Sequence, residues 1–167
     1  VGTAAGFPCC LQRGVVSGNK LYFSGWHSPG SFDLYSYDGS SVTQHSTVSQ
    51  VPREIQVLNG SVYFIGIIDQ SINWDKAWMT PTSNSVSQIS LPFQPDTVPT
   101  VQFNNQIIFA KPNSNELYGF NGTSATLFSQ NYAGYGLLTT SPSFVFFEGV
   151  SSSPNNQLYY SDGQTES

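Results

Sequence analysis

The chain has 167 residues and a net charge of −5, and it is 38% hydrophobic, 14% aromatic and 9% charged. The length suits one domain or a piece of a larger one, and the aromatic content argues against a disordered chain. Five scattered cations, Arg13, Lys20, Arg53, Lys76 and Lys111, form no basic stripe for binding nucleic acid through its phosphates, and no apolar run approaches the roughly 20 residues that span a bilayer.

The opening stretch VGTAAGFPCC lacks the charged and apolar regions of a secretory leader. Cys9 and Cys10 are adjacent, a spacing unsuited to a zinc site. Both are expected to be oxidised, paired with each other or with cysteines outside this stretch. Runs rich in Val, Ile, Tyr and Phe, bounded by Gly, Asn, Pro and Ser, then predict strands along the whole chain. The first group falls at 14–17, 21–26, 33–37 and 41–46, and the second at 54–58, 61–67, 76–80 and 85–91. The third falls at 100–103, 106–110, 116–120 and 125–129; the fourth at 136–140, 143–147 and 157–161, ahead of the stub GQTES. No segment sustains a 3.6-residue apolar period, so almost no helix is expected.

Two elements recur. GNKLYFSG (18–25), NGSVYFIG (59–66), NNQIIFAK (104–111) and SPSFVFFEG (141–149) each place a turn before an aromatic-rich strand. DLYSYDGS (33–40), ELYGFNGT (116–123) and QLYYSDGQ (157–164) each end a strand on Asp-Gly or Asn-Gly. The second repeat has KAWMTPTSNS at that place, a strand and a turn without the Gly. A spacing of about 40 residues with several short strands per period is the signature of a propeller blade. The Asp-Gly and Asn-Gly pairs are expected to form type I′ hairpins, which need positive φ at two residues. One such sheet cannot cover its own apolar face, so adjacent copies must cover each other.

The pattern resembles Kelch-like repeats and, more closely, the [ED]-L-[WY]-x-x-[DN]-G-[TS] repeats of extracellular microbial proteins. The chain departs from the Kelch pattern in lacking a clear Gly-Gly doublet after a strand. Its uncharged, Ser/Asn/Tyr-rich composition is also similar to that of archaeal surface proteins and attachment proteins of archaeal viruses. The resemblance implies an all-β fold: a β-propeller of about four blades, each a four-stranded antiparallel meander. The blades lie near 14–46, 54–91, 99–129 and 136–167, in a single domain or propeller fragment over 1–167, closing a small ring or belonging to a larger one.

In an antiparallel meander the first and third connections share one end of the strands. Those connections are short here, and the longer loops at 26–32, 68–75, 111–115 and 148–156 gather at the other end. The long-loop face carries Trp26, His27, Trp74, Asp75, Tyr132 and Tyr135, aromatic and polar groups of the kind that contact glycans or proteins. Packing between sheets is the alternative role for Trp26 and Trp74. The short-turn face carries two glycosylation sequons, at Asn59 and Asn121, whose alternative role is to make turns.

Catalytic constellations are absent from the sequence: His27 and His45 are isolated, and no nucleophile elbow occurs. No metal or cofactor is expected. Charged residues at 9%, against about 25% in a typical soluble protein, suit an extracellular, cell-surface or virion-surface location. The leading expectation is a non-enzymatic adhesion module for a surface glycan or protein, without membrane insertion. The alternatives are a structural, self-assembling subunit of a surface layer or filament, and a secreted glycan hydrolase using Asp69, Asp75 or Glu148, or the accessory domain of one.

Overall fold

A computed structural model describes residues 9–28, 31–45, 52–69, 75–83, 85–95, 99–132, 138–149 and 157–165. The described residues form strands and turns, with no helix. They make four antiparallel sheets in two compact units, Val1–Ser90 and Leu91–Ser167.

The first unit holds two meanders. β1 (Cys9–Ser17), β2 (Lys20–Ser28), β3 (Ser31–Tyr37) and β4 (Val42–Gln44) lie side by side in chain order. So do β5 (Arg53–Leu58), β6 (Ser61–Asp69), β7 (Asp75–Pro81) and β8 (Val86–Ile89). Alternation within each strand sends one row of side chains to each face. Val62 and Phe64 of β6, with Ala77 and Met79 of β7, meet Leu34 of β3 in a shared core flanked by Val15 and Tyr22. β1 lies against β5, and the Ser17 hydroxyl donates to the Gly60 carbonyl at 2.6 Å, so the first turns of the two sheets are neighbours.

The second unit repeats the plan. β9 (Val101–Phe103), β10 (Gln106–Ala110), β11 (Leu117–Phe120) and β12 (Ala125–Ser129) form the third sheet. β13 (Leu138–Thr140), β14 (Val145–Gly149) and β15 (Gln157–Ser161) form the fourth. Ile108, Ala110 and Leu117 pack on Val145, Phe147 and Leu138, and β9 lies against β13.

The turns differ in part from the expectation. Asn59-Gly60 and Asn104-Asn105 have positive φ at both residues and close two-residue hairpins, Leu58 opposite Ser61 and Phe103 opposite Gln106, as type I′ turns do. Asp38, Asn121 and Asp162 do not take positive φ, so the expected type I′ turns are not formed there. Tyr37 pairs with Val42 and Phe120 with Ala125, which makes four-residue loops. The leading side chain organises each one. Asp38 Oδ1 accepts from the N–H groups of Ser40 (2.9 Å) and Ser41 (2.8 Å), and Asn121 Oδ1 from those of Thr123 and Ser124 (both 3.0 Å). Asp162 Oδ1 accepts from Gln164 (2.8 Å) and Thr165 (2.7 Å). These are Asx turns, in which a short carboxylate or amide replaces a backbone acceptor. Only the following Gly39, Gly122 and Gly163 need positive φ. The second repeat keeps this loop length without Asp-Gly: Pro81 pairs with Val86, and Thr82 N–H donates to the Ser85 carbonyl at 2.8 Å.

Candidate functional site

The expected contact residues have different fates. Trp26 is half-buried in β2, opposite Cys9 and Phe32. His27 lies in β2 and Asp75 at the start of β7, with side chains outside the described residues, as are those of Cys9 and Cys10 in β1. Trp74 and Tyr135 lie outside the described residues altogether. Asp69 and Asp75 are register partners across β6 and β7; Glu148 is half-buried in β14 of the other unit.

Tyr132 is a correction: it is fully buried rather than displayed. Its N–H donates to the Asn115 carbonyl at 2.9 Å, it bridges to Gly149, and its ring meets Phe147 edge-on at 6.5 Å. It ties the link between the third and fourth sheets into their shared core. Asn59 and Asn121 are both exposed, each at a short-turn end of its own sheet. Asn121 Oδ1 is committed to its turn, and the Thr123 hydroxyl also donates to it at 3.1 Å.

The seams between neighbouring sheets hold the more informative site. In the first unit, His45 follows β4 and is buried, with its ring stacked on Tyr22 at a centroid distance of 5.8 Å. Its Nδ1 is 3.1 Å from the Thr82 carbonyl, and its Nε2 is 2.8 Å from the Ser36 hydroxyl. A carbonyl only accepts, so Nδ1 carries the proton and Nε2 accepts from Ser36. Burial pushes the imidazole pKa down, and Lys20 adds to this, while the Thr82 contact opposes it. The neutral ring closes the seam between the outer strand of the first sheet and the last turn of the second.

Counting from the Asx turns, Phe128 occupies the place of His45, Gly119 that of Ser36, and Asp162 that of Thr82. The polar clasp is therefore missing from the second unit. A groove of about 200 Å³ lies there, lined by Phe103, Asn104, Gln106, Thr126, Leu127 and Phe128 on the third sheet. Asp162, Gly163 and Gln164 line it from the last turn of the fourth. The rings of Phe103 and Phe128 meet edge-on at 6.1 Å. A Cβ on Gly119 would run into the Gln106 side chain, and one on Gly163 would press on the Phe128 ring at 3.0 Å. Both glycines thus keep the groove's walls where they are.

The groove is polar at its rim. Asn104 and Gln164 are exposed, and Leu127 is 46% exposed. Hydrogen bonds from the backbone N–H groups of Thr165 and Gln164 hold the Asp162 carboxyl below the usual carboxylate range. Those bonds use Oδ1, and Oδ2 receives none from the described residues. This site is hidden in the sequence because its aromatic, Phe128, lies within a strand and not in a long loop. Aligning VTQH (42–45) with ATLF (125–128) reveals the signal, an apolar pair where the earlier repeat is polar.

Among the described residues, no three of His, Cys, Asp and Glu gather as a metal site requires. Nor do they contain a helix long and apolar enough to cross a membrane. Comparison of the sequence with known protein families and with characterised proteins found no match.

Proposed function

We propose that this chain is a non-enzymatic binding module, displayed on a cell or virion surface, whose sheets are successive blades of a Kelch-like β-propeller. It recognises an uncharged surface glycan or a protein. The blade reading is supported by the repeated strand order, by first strands lying against first strands, and by equivalent leucines, Leu34 and Leu117, buried against the following sheet.

The observation that carries the binding reading is the groove at the open seam, with an aromatic floor and an amide-rich rim. Such a surface binds by stacking and neutral hydrogen bonds, not by ion pairing. The test is binding of the whole protein to immobilised cell-surface glycans and proteins at about 50 and 500 mM salt. A specific ligand whose affinity changes by less than about twofold is expected, because ionic screening has little to act on. A steep loss with salt, or no ligand in either panel, refutes the proposal.

One observation favours a second reading, a self-assembling surface subunit. Leu158 and Tyr160 on β15 are 64% and 41% exposed, and Tyr160 contacts Phe144 and Phe146 at 5.1 and 6.2 Å. An exposed apolar sheet face of this kind is a surface for association. A concentration-independent monomer mass in dilute solution eliminates this reading.

A further inference from the structure

We propose that the open seam between the third and fourth sheets is a subsite for one neutral pyranose residue, lying against Phe128 and hydrogen-bonded by Asn104, Gln106, Gln164 and Asp162. The inference rests on the binding reading above and assigns the ligand class and the residues.

The two seams are built from equivalent elements, yet one is filled and the other is open. In the first unit the buried Ser36 and His45 and the carbonyl of the more exposed Thr82 satisfy one another in a chain. In the second unit the same three places hold Gly119, Phe128 and Asp162, which cannot form that chain. Glycine removes the hydroxyl, and phenylalanine removes both ring nitrogens. Lys20, beside the closed seam, is matched by the uncharged Gln106 beside the open one. The changes together turn a sealed polar contact into a cavity with an aromatic wall.

A pyranose presents an apolar C–H face and a rim of hydroxyls that each donate and accept. An aromatic ring suits the face. Carboxamides suit the rim, because each supplies donors and an acceptor. Asp162 Oδ2 adds an acceptor on an already anchored side chain, so little ordering is needed when a hydroxyl donates to it. No cation lines the groove, and the Asp162 charge repels anions, which excludes phosphates and acidic sugars. A volume of about 200 Å³ lies below the range of roughly 300–1,000 Å³ usual for larger ligands, and it matches a single ring.

The experiment titrates the full chain with methyl glycosides of glucose, galactose, mannose and N-acetylglucosamine, followed by calorimetry or ligand-observed NMR. A single ring of this size should bind with a Kd on the order of 1 mM for at least one glycoside. The double variant Gly119→Ser/Phe128→His installs the residues of the closed seam and should weaken that binding at least tenfold while the far-UV spectrum is unchanged. Gln164→Ala removes a rim amide but leaves the backbone N–H of the turn, and it should weaken binding severalfold without altering Tm. It reports on the subsite even if the double variant misfolds. Retained affinity in a folded double variant, or in Gln164→Ala, overturns the subsite. So does a glycan or protein ligand that binds the whole protein and is not displaced by any glycoside, although the binding reading then stands. Absence of every ligand in both panels overturns the two together.

Discussion

Leu34, Leu117 and Leu158 stand four residues before the Asx turn in three different repeats, and they offer a direct measure of sheet-on-sheet packing. The first two are completely buried, each in a core shared with the following sheet. Leu158 is 64% exposed, since no described sheet follows its own. Truncation to alanine at a closed core site costs about 2–5 kcal/mol, from lost transfer energy plus the cavity left behind. At Leu158 only about a third of the side chain leaves an apolar environment and no cavity forms, so the cost is within about 1 kcal/mol. With a urea m-value of about 1–3 kcal/mol/M, Leu34→Ala and Leu117→Ala should each lower the midpoint of unfolding by roughly 1 M or more. Leu158→Ala should lower it by a few tenths of that. Urea unfolding followed by far-UV circular dichroism reads all three, with the transition of the affected unit assigned by the variant itself. Equal losses in the three variants would refute the reasoning, as would losses below about 1 kcal/mol at both buried positions.

Three further outcomes are expected. His45→Phe should remove a pH dependence of stability. Burial depresses the folded-state pKa, so the unfolded chain takes up the proton first and wild-type stability falls as pH drops below about 6.5. Thermal unfolding between pH 7 and 5 should show that slope in the wild type and not in the variant. The carboxyls of Asp38, Asp162 and Glu116 have depressed folded-state pKa values, the first two through turn N–H groups and Glu116 through Lys111 at 2.6 Å. Their contribution is present above the unfolded values near 4 and is lost as pH falls through the lower folded values, so Tm should drop further below pH 4. Gly149→Ala should cost about 1–3 kcal/mol in chemical denaturation, because a Cβ there would strike the Tyr159 ring and the Asn131 carbonyl. A neutral Gly149→Ala would show that the join around Tyr132 is loosely packed.

Much of the architecture was legible. β10, β12 and β15 begin and end where their residue types and flanking turn residues predict. Most other strands differ by a few residues at their ends, where hydrogen bonding rather than residue type decides the boundary. β1 runs back to Cys9, well before the expected start at 14, through irregular pairing with β2. The turn type was not legible. Asp-Gly and Asn-Gly suit either a two-residue hairpin or a four-residue Asx turn, and only the cross-strand register separates them. Thr82 shows the same ambiguity from the other side, since its loop matches the others in length with no Asp-Gly in it.

The candidate site was less legible, for a physical reason. Tyr132 looked like a displayed loop aromatic, yet a link between two packed sheets is buried by them, and its backbone is bonded on both sides. The groove depends on Gly119 and Phe128, on the paired strands β11 and β12, and on Asp162, which only the packing of the next sheet brings to them. Each is unremarkable alone. The contrast with Ser36, His45 and Thr82 gives them meaning, and it needs the register of both repeats.

The most direct test of the binding account is residue-resolved. Amide shifts of the isotopically labelled full chain should be followed during titration with the methyl glycoside that binds. The account predicts changes concentrated at Asn104, Gln106, Thr126 to Phe128 and Asp162 to Gln164, with the equivalent seam around His45 and Thr82 unmoved. Perturbations centred on the loops near Trp26 and Asp75, with a silent groove, would contradict it.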